Sequence, residues 1–219
     1  MKIVHHPDNA TLVSFAAGTL DESFATVVAA HIASCPTCGA TLRDIEAVGG
    51  SLLESVSPAM LSPTALKQTL SRLGEIYGDG GGETAKPAQS APEVPLPLAK
   101  LLTGGLDTIA WKTVSPGVAK RSVPISKAAK GSLTLLKIAP GKKIPDHGHN
   151  GMEITLVLKG SYRDALGRFG PGDIADLDEH VEHQPVVDSS DPCICIVATE
   201  APTRFKSLFG RLLQPLAGI

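Results

Sequence analysis

Hydrophobic positions follow two different periods along the chain. Up to about residue 77 they recur at three- and four-residue steps, the spacing of helices. After about residue 95 they fall in short runs between turn residues, the habit of strands. Residues 9–20 (NATLVSFAAGTL) predict a helix ended at Gly18 or shortly after. Residues 21–34 (DESFATVVAAHIAS) predict a second, with Asp21 as its N-cap. A third starts near Pro36 and runs to Gly49-Gly50, a pair that reads as a stop. Ser62-Pro63 opens a fourth, with serine as cap and proline in the first helical position. In it Leu66, Leu70, Leu73 and Tyr77 form one apolar stripe, suited equally to a core and to a partner surface.

The later runs are SLTLLKIAP, EITLVLKG, SYRDA, GDIADL and CICIVAT. Turn signals roughly every 8–12 residues predict an all-β sandwich or barrel. Between the two regimes lies GDGGGETAKPAQSAPEVPLP, Gly-rich and then Pro/Ala-rich, which reads as a linker. The predicted organisation is α+β in two domains: a small helical bundle over residues 1–77, a linker at 78–94 and a β domain over 95–219.

Composition narrows the function classes. The chain has 219 residues, 42% of them hydrophobic, enough for two small packed domains. A net charge of -2 speaks against a general nucleic-acid binder, and 4% aromatic residues against a base-stacking surface. The start, MKIVHHPDN, lacks the apolar stretch of a signal peptide, and no apolar run approaches the roughly 20 residues of a membrane span. A cytoplasmic protein with no membrane partner is therefore expected. In a reducing compartment its four cysteines more often hold metal or do redox work than form bridges.

Two clusters of metal-ligating residues stand out. His31, Cys35 and Cys38 read H-x3-C-x2-C. A histidine and a cysteine four residues apart on a helix share a face, and C-x2-C lets a tight turn bring in a second sulfur. Three such ligands suit tetrahedral zinc, which needs a fourth, and His5 or His6 can supply it. A redox C-x2-C is the competing reading, but the strand context it wants is missing.

The second cluster is Gly141-x5-His147-x-His149-x3-Glu153-x6-Gly160, which matches the first cupin motif at each defining position. In a strand His147 and His149 point the same way, and Glu153 adds an oxygen ligand after a turn. Pro171-Gly172-Asp173 followed by IADLDEHVEH resembles the second cupin motif and places His183 as the third histidine; His180 falls in the turn. Asp178 stands where proline is common, and the downstream asparagine of that motif is absent. Such a ligand set can hold Fe, Mn, Ni or Zn. Cys193 and Cys195 alternate on one strand and read as packing side chains near this site.

Together, in this order and joined by a linker, the two motifs resemble the ChrR-type zinc-dependent anti-sigma factors over nearly the whole chain. Phe15-Ala16-Ala17-Gly18-Thr19-Leu20, Ala47-Val48-Gly49-Gly50-Ser51-Leu52, Pro145-Asp146-His147-Gly148-His149 and Cys193-Ile194-Cys195 share in the likeness. The resemblance implies that the helical domain binds and inhibits, 1:1, a sigma factor of the extracytoplasmic-function type. It implies a structural zinc on His6, His31, Cys35 and Cys38, and a second zinc on His147, His149, Glu153 and His183. It further implies release of the sigma factor under singlet oxygen or related oxidants, sensed through the cupin-like domain, with no catalytic activity. The competing expectation is a cupin oxygenase or isomerase carrying an accessory zinc domain.

Overall fold

The computed structural model describes residues 2–77, 94–99, 101–102, 104–202 and 204–205. All but the last residue of the expected linker, and the tail beyond 205, lie outside the described residues. In the first region α1 spans Asn9–Ala16, capped by Asp8, whose carboxylate accepts from the Thr11 N–H. It ends where Gly18 adopts φ +67°, a left-handed turn that favours glycine. Helix α2 (Glu22–Ile32) is capped by Asp21, as its sequence predicts. Helix α3 (Pro36–Glu54) starts on Cys35 and Pro36 but runs on through Gly49-Gly50. A glycine costs a helix about 1 kcal/mol relative to alanine yet keeps its N–H, so the hydrogen-bond ladder continues. Helix α4 (Ala65–Tyr77) begins three residues after Ser62, because Ser62-Pro63-Thr64 form a turn closed by Ala65 N–H on the Ser62 carbonyl at 3.0 Å. A short α5 (Leu96–Ala99) precedes the strands.

The β domain holds β1 (Lys112–Ser115), β2 (Val118–Ser122), β3 (Ser132–Ile138), β4 (His147–Gly148), β5 (Glu153–Lys159) and β6 (Tyr162–Asp164). Next come β7 (Gly167–Phe169), β8 (Ile174–Leu177), β9 (Glu182–His183), β10 (Val186–Val187), β11 (Cys193–Thr199) and β12 (Arg204–Phe205). A six-stranded antiparallel sheet runs β1-β2-β3-β11-β5-β8, accompanied by the ribbons β10-β6-β7 and β12-β4-β9.

Strand periodicity sorts the sheet's residues onto two faces. One carries Leu133, Leu135, Ile154, Leu156, Ile194 and Ile196, which share a core with Phe24, Val27, Val28 and Ala30 of α2 and Leu98 of α5. The other carries Val157 and Cys193, which pack with Tyr162, Phe169 and Val187 of the β10-β6-β7 ribbon. The helical region is therefore not free-standing. Each large side chain of α2 in the shared core is worth about 1.5–3 kcal/mol of burial. Burial on both faces also explains why EITLVLK and CICIVAT are nearly continuous apolar runs. Among the described residues, no single helix is long and apolar enough to cross a membrane.

Candidate metal centres

The first cluster forms where three helices begin or end. His31 lies in the last turn of α2, Cys35 caps α3, Cys38 sits in its first turn, and His6 belongs to the extended stretch before α1. The Cys38 N–H points at Cys35 Sγ (3.5 Å), which folds the C-x2-C turn so that both sulfurs face one point. His31 donates Nδ1–H to the Gly172 carbonyl at 2.8 Å, leaving an Nε2 lone pair 3.2 Å from Cys38 Sγ. His6 Nδ1 lies 3.4 Å from Cys35 Sγ and 3.3 Å from Cys38 Sγ. Around a tetrahedral zinc, nitrogen and sulfur ligands stand about 3.5 Å apart, so the spacing suits that ion. Burial, and then Cys35 beside it, pushes the Cys38 thiol up to about 12. Burial lowers the His31 pKa, which favours the neutral ring a metal needs.

His5 turns away. Its ring stacks on Phe169 at 4.2 Å, and its Nε2 lies 3.1 Å from the Arg168 carbonyl.

The second cluster sits on the inner side of the β domain. Antiparallel pairing of β4 with β9 puts His147 directly opposite His183. His147 donates Nδ1–H to the Pro145 carbonyl at 2.8 Å, and His183 donates Nδ1–H to Asp164 Oδ2 at 2.8 Å. Both rings therefore present an Nε2 lone pair, and these two atoms face each other at 3.1 Å. Two acceptors at that distance require a cation or a shared proton between them; two nitrogens on a tetrahedral zinc would stand about 3.3 Å apart. His149 Nδ1 approaches Glu153 Oε2 at 3.2 Å, while its Nε2 is buried without a protein hydrogen-bond partner. Burial alone would raise the Glu153 carboxyl, but the three histidines around it hold it below the usual carboxylate range. Thr155 donates to its other oxygen at 3.2 Å.

The fold thus gathers all eight predicted ligands into two groups, each with its ligand atoms within 4.8 Å of one another, and the donor types fit zinc. His180 stays outside, exposed beside Glu179. Asp178, which replaces the usual proline, accepts from the His180 N–H at 2.9 Å and so closes the turn that proline would shape. Cys193 and Cys195 are buried free thiols; Cys193, and then burial, pushes the Cys195 thiol up. A thiol so held is a packing group rather than a ready nucleophile. Asp164, which orients His183, carries no sequence signal, and Gly172 is readable as a motif turn but not as the partner of His31. Each is brought to its histidine by long-range packing, 19 residues away in one case and 141 in the other.

A family model described as the ChrR Cupin-like domain matches residues 101–202. The anti-sigma-E factor ChrR of Cereibacter sphaeroides is 42% identical over 216 residues, 98% of each chain. The chain belongs to the ChrR family. A crystal structure of Rhodobacter sphaeroides SigE in complex with the anti-sigma ChrR superposes with a TM-score of 0.79 at 38% identity, covering 90% of this chain and 100% of that one. Within the ChrR family frame, the cupin-like β domain and the helical region with its Cys/His cluster are both accounted for.

Proposed function

We propose that the chain is an anti-sigma factor that binds an extracytoplasmic-function-type sigma factor 1:1 through its helical region and keeps it from RNA polymerase. The observation that carries this reading is an apolar helix face left exposed among the described residues. Of the 19 residues of α3 only Cys38 is buried, while Leu52 and Leu53 are 65% and 73% exposed. Leu66, Leu70 and Leu73 of α4 are 72%, 57% and 45% exposed along the predicted stripe. An apolar helix face of this length in water marks a partner surface. Its chemistry suits the partner named in the complex of the related ChrR.

On this reading His6, Cys35, Cys38 and His31 hold a structural zinc that fixes the junction of α2 and α3 and so aims the exposed helices. His147, His149, Glu153 and His183 hold a second zinc inside a β domain closed as a cupin barrel. That second site serves as a sensor, not a catalyst, and reports singlet oxygen or related oxidants by a change in its buried ligands. An oxidised imidazole no longer completes the constellation, and loss of the site's geometry weakens the hold on the sigma factor. The test is a reporter assay with His147→Ala, Glu153→Ala and His183→Ala, with and without a photosensitiser. Inhibition is kept and induction is lost if the reading holds; normal induction in all three, or turnover of a small substrate by the metal-loaded chain, overturns it.

A further inference from the structure

The ligands of the N-terminal cluster come from residues 6–38, but what holds two of them comes from the β domain. Asp173 is 4% exposed. Its Oδ1 accepts from the Val4 N–H at 2.7 Å and the His5 N–H at 3.0 Å, and its Oδ2 from the Gly170 N–H at 2.8 Å. The His5 carbonyl accepts from the Ile174 N–H at 3.2 Å, and Asp176 Oδ2 accepts from the Asp8 N–H at 3.1 Å. Strand β8 is the last of the six-stranded sheet, so residues 4–8 run along its outer edge and are fastened on both sides of His6. One residue before Asp173, the Gly172 carbonyl fixes the ring of His31.

His31, Cys35 and Cys38 belong to one continuous helix-turn-helix and are placed by it. His6 lies 25 residues upstream in extended chain and has no helix to place it. Its backbone is set instead by the turn and strand at 172–176. We propose that Asp173 is the positioning residue of the N-terminal metal centre, which makes that centre a joint product of both regions: ligands from the helices, orientation from the β domain. The edge held by this turn also touches the β6–β7 hairpin through His5. His5 stacks on Phe169, Phe169 stacks on Tyr162 at 4.9 Å, and the strand of Tyr162 ends in Asp164, the partner of His183.

This inference rests on the reading of His6, His31, Cys35 and Cys38 as a metal site. The experiment uses the full chain loaded with cobalt(II). Sulfur-to-cobalt charge transfer reports the cluster that contains cysteine, and the d–d intensity reports whether its fourth ligand is in place. Asp173→Ala should weaken and shift the d–d bands and speed transfer of the metal to a chelator by roughly 10–100-fold, the range for losing an orienting partner. Val4→Pro, which deletes one of the two N–H donors to Asp173 Oδ1 and leaves every β-domain side chain in place, should move both readouts the same way. Asp107→Asn, at an exposed carboxylate in the short turn Leu106–Thr108, should move neither. In a His6→Ala background Asp173→Ala should add nothing. Spectra and exchange within twofold of wild type for Asp173→Ala and Val4→Pro, or a full additive effect without His6, would overturn the proposal. A wild-type chain without the charge-transfer band overturns the metal reading as well.

Discussion

His31 shows how one side chain joins sequence signal and unseen context. Its spacing to Cys35 and Cys38 is legible from the sequence; the Gly172 carbonyl that fixes its tautomer is 141 residues away. The same holds for His183, whose motif position is readable while Asp164 beneath it is not. Two adjacent histidines look alike in sequence, and only the family resemblance favours His6 over His5. The structure separates them by turning His5 onto Phe169. A prediction at this scale concerns the thiols. Structural zinc contributes roughly 10 kcal/mol or more at such sites. Replacing Cys35 and Cys38 together by serine should remove about one zinc per chain by metal analysis and abolish sigma binding; full inhibition by that zinc-free protein would contradict the assignment.

At the scale of elements, Asp21 does more than cap α2. Besides the Ser23 N–H it accepts from Lys130 N (2.8 Å) and Gly131 N (3.3 Å), so it ties the start of the helix to the loop before β3. Desolvation of its carboxyl acts to raise its pKa, but these donors win and hold it below the usual carboxylate range. A carboxyl lowered on folding stabilises above its unfolded value, and the contribution fades as pH falls through the folded one. Losing this N-cap by Asp21→Ala should cost roughly 0.5–2 kcal/mol at neutral pH, seen as a lower melting temperature. The gap from wild type should close in strong acid; a gap that persists there would deny the charge its role. The exposed helices give a second prediction. Leu66→Ser, Leu70→Ser and Leu73→Ser together should leave the melting temperature within a few degrees, because these side chains are already in water, and should weaken sigma binding at least tenfold. Unchanged affinity would place the interface elsewhere. Sequence pattern located these helices but misjudged two of their ends, since a Gly pair weakens a helix without removing a donor and a Ser-Pro pair can close a turn before a helix starts.

For the whole molecule, the change of hydrophobic period separated a helical from a β region, and the packing then joined them. Strands such as EITLVLK are apolar on both faces, and single-sequence reading cannot tell that one of those faces awaits α2. The shared core is long-range, formed by residues more than a hundred positions apart, and leaves no local trace. It has consequences for function. A chain cut after residue 85 would expose Phe24, Val27 and Val28, so the helical region should be less stable alone than within the full protein. The measurement that bears most directly on the central claim is titration calorimetry of the zinc-loaded full chain with SigE, the sigma factor in the complex of the related ChrR. The account predicts a tight 1:1 complex that disappears when the Cys35→Ser, Cys38→Ser chain is used. No binding by the zinc-loaded chain, or equal binding by the variant, would contradict it.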